Sequence, residues 1–498
     1  MTGAAFSGFR VARAFASNIL GQAIGIVQSY LLVPLFLSAW GDEGYGQWLS
    51  LTALASYLAL LDLGGQSFVG NRLAEAFAQD RHDDFRATLR EGASLFVATG
   101  LVAQTAVSVA LLWPGLPWDT SARLVVFWSA GLVAISIPGG VLVTCYYATG
   151  QIVRGTMTGN LARITMLLVS VLALRAKFER SDYASILFAT NVVTNIFVFY
   201  DLRVAAGQLF RPRLSLADLR RGLTLLRGSL QYWLFALAGA LNLQGVLLVL
   251  ALASGNSSVA QFATHRAAAS LTVYVGGLLR PALWTEMTFM AARGDTPRLR
   301  EVISVAVRIG TWCAAVAGAT ISLAAPFGYA LWTRSKLDLD FTLLLILIGQ
   351  AVLSAAWNTA SWPLLSGSRP RALARWSLLN AALTIVAAYI GLRIGWGVWC
   401  VAAASLAADV VCGLIPFPLT AAAFLQESKW RFPLDLGRAL LCAVPFAAAA
   451  YVSIRFCETH LLRALAFGGS CLVLAGPALL VLLGRQDIVR IRHALLKR

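Results

Sequence analysis

Trp40-Gly41-Asp42-Glu43-Gly44-Tyr45-Gly46-Gln47-Trp48 is a short polar interruption between two long apolar stretches, and it has a degenerate counterpart at Ser254-Gly255-Asn256-Ser257-Ser258-Val259-Ala260-Gln261-Phe262. Gly41 and Gly255 are 214 residues apart, as are Gln47 and Gln261. Further pairs follow in the same order at nearly that offset: Gly64-Gly65 with Gly276-Gly277 (212), Glu75 with Glu286 (211), Arg90-Glu91 with Arg300-Glu301 (210) and Gly150 with Gly367 (217). Each echo is weak alone. Their common order and spacing predict a duplicated unit.

The stretches on either side of these motifs decide the class. Of the 498 residues 58% are apolar and only 13% charged, a balance that excludes an ordinary soluble protein. A bilayer-spanning helix needs about 20 largely apolar residues. Fourteen such stretches can be drawn, at 14–40, 47–71, 92–113, 122–148, 156–174, 183–202, 228–253, 259–290, 302–332, 341–365, 373–392, 396–425, 437–455 and 461–483. The expected fold is all-α and polytopic, with little chain left for a soluble domain. Six helices per repeat, an even number, means both copies enter the membrane in the same direction. That predicts two six-helix lobes related by a pseudo-twofold along the membrane normal, with a central site between them. The expected organisation is a lobe over 1–207, a basic linker over 208–227, a second lobe over 228–425, and two extra helices with a basic tail over 426–498. Arg10 and Arg13 before an apolar run resemble a secretory signal. The run to Trp40 is too long for one and holds Asn18, Gln22 and Gln28, so it reads as a retained first helix.

The net charge of +17, from 40 Lys and Arg against 23 Asp and Glu, would suggest nucleic acid in a soluble chain. Here it reports orientation instead. One set of connectors and the two termini hold 27 of the 40 basic residues, the opposite connectors hold 9, and Arg163, Arg266, Arg280 and Arg308 lie within helices. By the positive-inside rule both termini are cytoplasmic. The basic connector 203–227 suits anionic lipid headgroups. Seven cysteines fall in or beside apolar segments without CxxC spacing, and the four histidines are scattered. Neither a zinc site nor a disulfide framework is expected, and no cofactor is.

A charge inside a bilayer costs at least roughly 2.5 to 3.5 kcal/mol on insertion scales, so it should line a cavity or pair. Asp62 lies 15 residues beyond Gln47, about 22 Å along its helix at 1.5 Å per residue. Arg280 lies 19 residues beyond Gln261, about 28 Å by the same rise. Arg266, Ser270, Val273, Gly277 and Arg280 recur at helical spacing, so both arginines point the same way. Asn18, Gln22, Gly25 and Ser29 form a polar or small stripe in helix one, and the two Gly-Gly pairs interrupt helices two and eight at matching places. The substrate-contact candidates are Arg266, Arg280, His265, Asp62, Ser270, Asn18, Gln22 and Asn242. All but Ser270 have a structural alternative: an ion pair for Asp62 with Arg280, snorkelling for His265 and Arg266, and helix-to-helix hydrogen bonds for Asn18, Gln22 and Asn242, as for Gln28, Gln231 and Gln244.

At Gly44-Tyr45-Gly46-Gln47-Trp48, Leu61-Asp62-Leu63-Gly64 and Asn71-Arg72 the chain resembles the polysaccharide transporter family. These are the O-antigen and capsule repeat-unit flippases, within the multidrug/oligosaccharidyl-lipid/polysaccharide exporter superfamily. The resemblance implies a multi-pass protein of the bacterial inner membrane that moves a lipid-linked oligosaccharide, carried on a polyprenyl diphosphate, from the cytoplasmic to the periplasmic leaflet. Lipopolysaccharide O-antigen and exopolysaccharide biosynthesis are the implied settings. Membrane lipids and other polysaccharide-assembly proteins are the implied partners. It also implies a cationic cavity lined by helices one, two, seven and eight, which Arg266 and Arg280 would supply. Helix one has no basic residue between Arg13 and Trp40, so helix eight leads. An Asp62–Arg280 pair could close the cytoplasmic side after the headgroup leaves. A multidrug or toxin exporter of the same superfamily is the nearest alternative, although the expected cavity is more basic than acidic. A polytopic enzyme acting on lipid-linked glycans would need a sizeable outward loop with clustered carboxylates or histidines. The outward connectors are too short for one, so no enzymatic activity is expected. The absence of a Walker motif argues against ATP hydrolysis by this chain.

Overall fold

The computed structural model describes residues 8–210, 213–278, 283, 287, 290, 295–366, 370–457 and 459–483. Among them every regular element is helical, and 12 spans are long and apolar enough to cross a membrane. The fourteen expected stretches and these 12 spans are the same segments counted differently. The first two merge into one span, Ala16–Asp62, and the eighth lies partly outside the described residues. Contacts divide the chain into two compact units, Met1–Ala260 and Gln261–Arg498.

The first unit begins with α1 (Gly8–Ser56), which is two helices joined at a break where Gly41 has φ 71° and ψ −174°. That backbone region is essentially closed to residues with a Cβ. Gly255, its counterpart in the repeat, has φ 82° and ψ 174°, so the two motifs share one hinge geometry as well as a sequence echo. A 3₁₀ turn (Tyr57–Asp62) follows, then Leu63 and Gly64 in left-handed conformation. The glycine pair therefore does break the second predicted helix. Next come α2 (Gly65–Ala78), α3 (His82–Leu111), α4 (Thr120–Ala148), α5 (Ile152–Arg175), α6 (Arg180–Ala206) and α7 (Leu216–Ala240). α7 passes through a π turn (Leu241–Gly245) into α8 (Val246–Ser254).

Half of the basic connector is helix. Ser215 caps α7, its Oγ accepting the Ala217 N–H at 3.1 Å. Leu219, Gly222 and Leu225 then follow at three-residue spacing along its inner side, and the two leucines pack into a core with Val69, Leu73, Phe85, Leu89, Phe96, Tyr146 and Leu202. The apolar spacing within the charged run is what draws it onto α2 and α3. Where α1 meets the start of α6, Phe36, Trp40, Tyr45, Trp48 and Tyr183 form a ring cluster around the Gly41 break, with Phe36 and Tyr45 stacked at 5.1 Å. The Trp40 indole donates to the Phe178 carbonyl at 2.9 Å, and Arg180 donates to the Gln47 side chain.

The second unit takes in α9 (Asn256–Gly276) from Gln261 onward, then α10 (Thr296–Thr333), α11 (Phe341–Ser366), α12 (Pro370–Ile394), α13 (Trp399–Ala408), α14 (Pro416–Phe424), α15 (Arg431–Phe456) and α16 (His460–Leu482). A π turn (Asp409–Leu414) joins α13 to α14. The core gathers Ile303, Val307, Trp362, Phe417 and Phe432 from four of these segments, together with Met287. α15 starts six residues earlier than its apolar stretch implied, which brings Asp435 inside a helix.

Candidate functional site

Exposure and hydrogen bonding place each polar residue of the spanning helices. On α1, Ile19, Ala23 and Val27 are exposed and apolar. At about 100° per residue the stripe Asn18, Gln22, Gly25 and Ser29 lies about 130° around the helix from them. Asn18 is nonetheless exposed and Gln22 half-buried, while Ser29 turns back to donate to the Gly25 carbonyl at 2.9 Å. A Cβ placed on Gly25 would meet nothing within 4 Å, so there is open space beside the stripe.

α5 packs on the neighbouring face of α1. Asn160, buried, donates to the Ser17 carbonyl at 2.8 Å, and Arg163 Nη1 donates to the Gly21 carbonyl at 3.3 Å. Gly21 permits this approach because a Cβ there would collide with both side chains. Arg163 sits at the midpoint of the 24-residue α5.

The remaining candidates of this unit have defined partners. Asp62 Oδ1 accepts the Gln66 N–H at 3.1 Å, capping α2 across the break, and the Gln66 side chain donates to the Ile137 carbonyl at 3.1 Å. Trp233 on α7 donates to the Leu60 carbonyl at 2.8 Å. Asn242 is half-buried within the π turn. The two copies of the opening motif meet: Asn256 Nδ2 donates to Glu43 at 2.9 Å, and Ser257 Oγ to Asp42 at 2.5 Å. Gly46 packs so tightly on the Asn256 carbonyl that a Cβ would overlap it.

In the second unit His265 is fully buried and both ring nitrogens are engaged. The Asp340 N–H donates to Nε2 at 3.0 Å, which leaves the proton on Nδ1, 2.7 Å from the Gln261 carbonyl and 3.1 Å from the Tyr329 hydroxyl. Arg266 is half-buried, its guanidinium over the Phe262 ring at 5.5 Å. The Ser270 hydroxyl donates to the Ala267 carbonyl at 2.6 Å. Arg280, and with it the expected Asp62–Arg280 pair, lies outside the described residues. An apolar cavity of about 510 Å³ opens between α10, α11, α14 and α15, with Lys429 as the charged group in its lining.

Three further carboxylates of the spanning helices, none marked by motif or spacing, have several donors each. Asp201 on α6 receives two hydrogen bonds from Arg154, at 2.7 and 2.9 Å, and one from the buried Tyr146 hydroxyl at 2.5 Å. Asp409, buried at the start of the π turn, accepts from Gln350, Ser354 and Asn380, each at 2.9 Å. Asp435, also buried, accepts from Ser304 and faces Arg308 at 3.5 Å, while Arg308 Nη1 reaches the Leu482 carbonyl at 2.5 Å. Asp409 is a lone acidic residue in an apolar run, the signal that marks it in the sequence, whereas Asp201 and Asp435 lie close to Arg203 and Arg438 at the ends of theirs. Among the described residues no group of three or more His, Cys, Asp or Glu could hold a metal ion.

No family model matches the sequence, and no curated protein matches it. Solved structures do. An inward-facing multidrug resistance MATE family transporter of the MOP superfamily aligns over 82% of this chain and 98% of its own, at 15% identity with a TM-score of 0.67. The lipid II flippase MurJ, in an inward closed conformation, aligns over 93% of this chain and 99% of its own, at 12% identity with a TM-score of 0.61. A MOP superfamily transporter from Pyrococcus furiosus, described by the reverse polarity of its binding pocket, aligns over 84% and 95%, at 15% identity with a TM-score of 0.59. The chain is a multi-pass all-helical membrane protein with the fold of the MOP superfamily transporters.

Proposed function

We propose that this protein is a flippase that moves a polyprenyl-diphosphate-linked oligosaccharide from the cytoplasmic to the periplasmic leaflet of a bacterial inner membrane by alternating access. The fold is shared by exporters and by a lipid flippase, so the charge of the cleft has to choose between them. One observation carries the choice. The carboxylates Asp201, Asp409 and Asp435 are each committed to donors within their own unit, which leaves them poorly placed to receive a cationic drug. The polar stripes of α1 and α9 instead carry asparagine and glutamine on the one and arginine on the other. A diphosphate bears about two negative charges and cannot cross hydrocarbon unaided, and a guanidinium offers it a planar donor fork. Few such donors can shelter the headgroup without trapping it. The distribution of basic connectors sets the direction, with both termini in the cytoplasm.

The reading is tested by ligand-induced stabilisation of the purified protein in nanodiscs. A polyprenyl diphosphate carrying a short oligosaccharide should raise the melting temperature, and a lipophilic cation such as ethidium should not. Stabilisation by ethidium alone would point to the exporter.

A further inference from the structure

We propose that Arg163, presented by α5 beside the polar stripe of α1, binds the diphosphate on the transport path, with Asn18 and Gln22 as neighbouring donors. The inference rests on the flippase reading and adds a site to it. Five exposed apolar residues of α5 past its first turn, Met157, Leu161, Ile164, Leu168 and Leu172, form a stripe, the face such a helix turns to lipid. Arg163 projects about 140° away from that stripe at 100° per residue, from the face that carries buried Gly155, Asn160 and Ser170. It is exposed all the same. A side chain on the protein-facing side of a spanning helix that remains accessible opens onto an internal cleft and not onto lipid.

Chemistry agrees with position. An arginine halfway along a span is costly unless water or a counter-charge reaches it. Among the described residues no carboxylate pairs with Arg163, and its hydrogen bond is the single one from Nη1 to the Gly21 carbonyl. A guanidinium carries five N–H donors, so most remain for an anion. Asn160 holds α5 to α1 through the Ser17 carbonyl, which fixes where the guanidinium sits. Gln22 follows Gly21 directly, Asn18 lies one turn before it, and the open space at Gly25 one turn after. Helix one carries no basic residue of its own along this stripe. α5 brings the cation to it.

The test measures binding of undecaprenyl diphosphate to protein in phosphatidylcholine nanodiscs, with folding checked by thermal melting. Arg163→Gln should weaken binding about tenfold or more, the scale of a lost charge-assisted hydrogen bond. Arg163→Lys, which keeps the charge and loses the fork, should fall between. If Arg163→Gln does not fold, Gly25→Phe fills the adjacent open space with Arg163 intact and should also weaken binding. Wild-type and variant binding equally tightly would overturn the Arg163 site and leave the flippase reading standing. A wild-type protein that binds no undecaprenyl diphosphate would overturn both. Repeating the measurement with phosphatidylglycerol nanodiscs separates the two sources of phosphate. An unchanged wild-type affinity supports a substrate site, and loss of the wild-type advantage over Arg163→Gln would assign the residue to lipid headgroups.

Discussion

Replacing Asp409 separates a carboxylate that holds helices together from one that works in transport. Its side chain takes three hydrogen bonds, two on Oδ2 from Gln350 and Ser354 on α11 and one on Oδ1 from Asn380 on α12. Asp409→Leu strands all three donors in a buried site. Interhelical hydrogen bonds within membranes average about 0.6 kcal/mol and reach about 1.7, so the loss should be roughly 2 to 5 kcal/mol. Asp409→Asn is different. Its amide oxygen can keep the two donors of Oδ2, and a flip of Asn380 can offer a carbonyl to the new NH₂, so the cost should stay near 1 kcal/mol or below. Unfolding equilibria in one detergent measure both variants, and a leaflet-translocation assay on the same preparations measures function. The expected pattern is a stable, active Asn variant and an unstable Leu variant. An Asn variant as stable as wild type but inactive would refute the reasoning, because the negative charge itself would then be needed for transport. So would a Leu variant within about 0.5 kcal/mol of wild type.

The buried Arg308–Asp435 pair should show strong coupling in a double-mutant cycle. Arg308→Met alone should cost about 3 kcal/mol by leaving a buried carboxylate, and adding Asp435→Leu should recover most of it. Gly41→Ala and Gly255→Ala should each cost about 1 to 3 kcal/mol, since both backbones occupy a region reserved for glycine, whereas Gly328→Ala, in an open helical position, should stabilise by about 0.5 to 1 kcal/mol. Melting temperatures rank these three. Gly46→Ala should break the packing of the first motif on the Asn256 carbonyl, seen as faster proteolysis within 40–48.

Apolar length made most of the helices readable, because spanning helices have to bury their own backbone groups and announce it by composition. The echo at Gly41 and Gly255 was readable because one strained backbone geometry admits one residue type. What escaped was pairing across helices. Asp409 with Asn380, Asp201 with Arg154 and Arg308 with Asp435 are 29, 47 and 127 residues apart, and no local periodicity links such partners. Arg163 was visible as an intramembrane charge, yet its importance depends on which face of α5 meets α1. The amphipathic start of α7 was hidden by its charge, which masked the leucine spacing beneath. His265 reads in the sequence as a substrate or headgroup contact, and the three-sided enclosure by Asp340, Tyr329 and Gln261 that buries it is set by residues up to 75 positions away.

The most direct test of the account is translocation itself. Proteoliposomes containing the purified protein would be loaded in one leaflet with a fluorescent polyprenyl-diphosphate oligosaccharide, and its appearance in the other would be followed by a membrane-impermeant quencher, with ethidium efflux measured in parallel. The account predicts protein-dependent movement of the diphosphate lipid and none of ethidium. Ethidium export without movement of the lipid-linked glycan would contradict it.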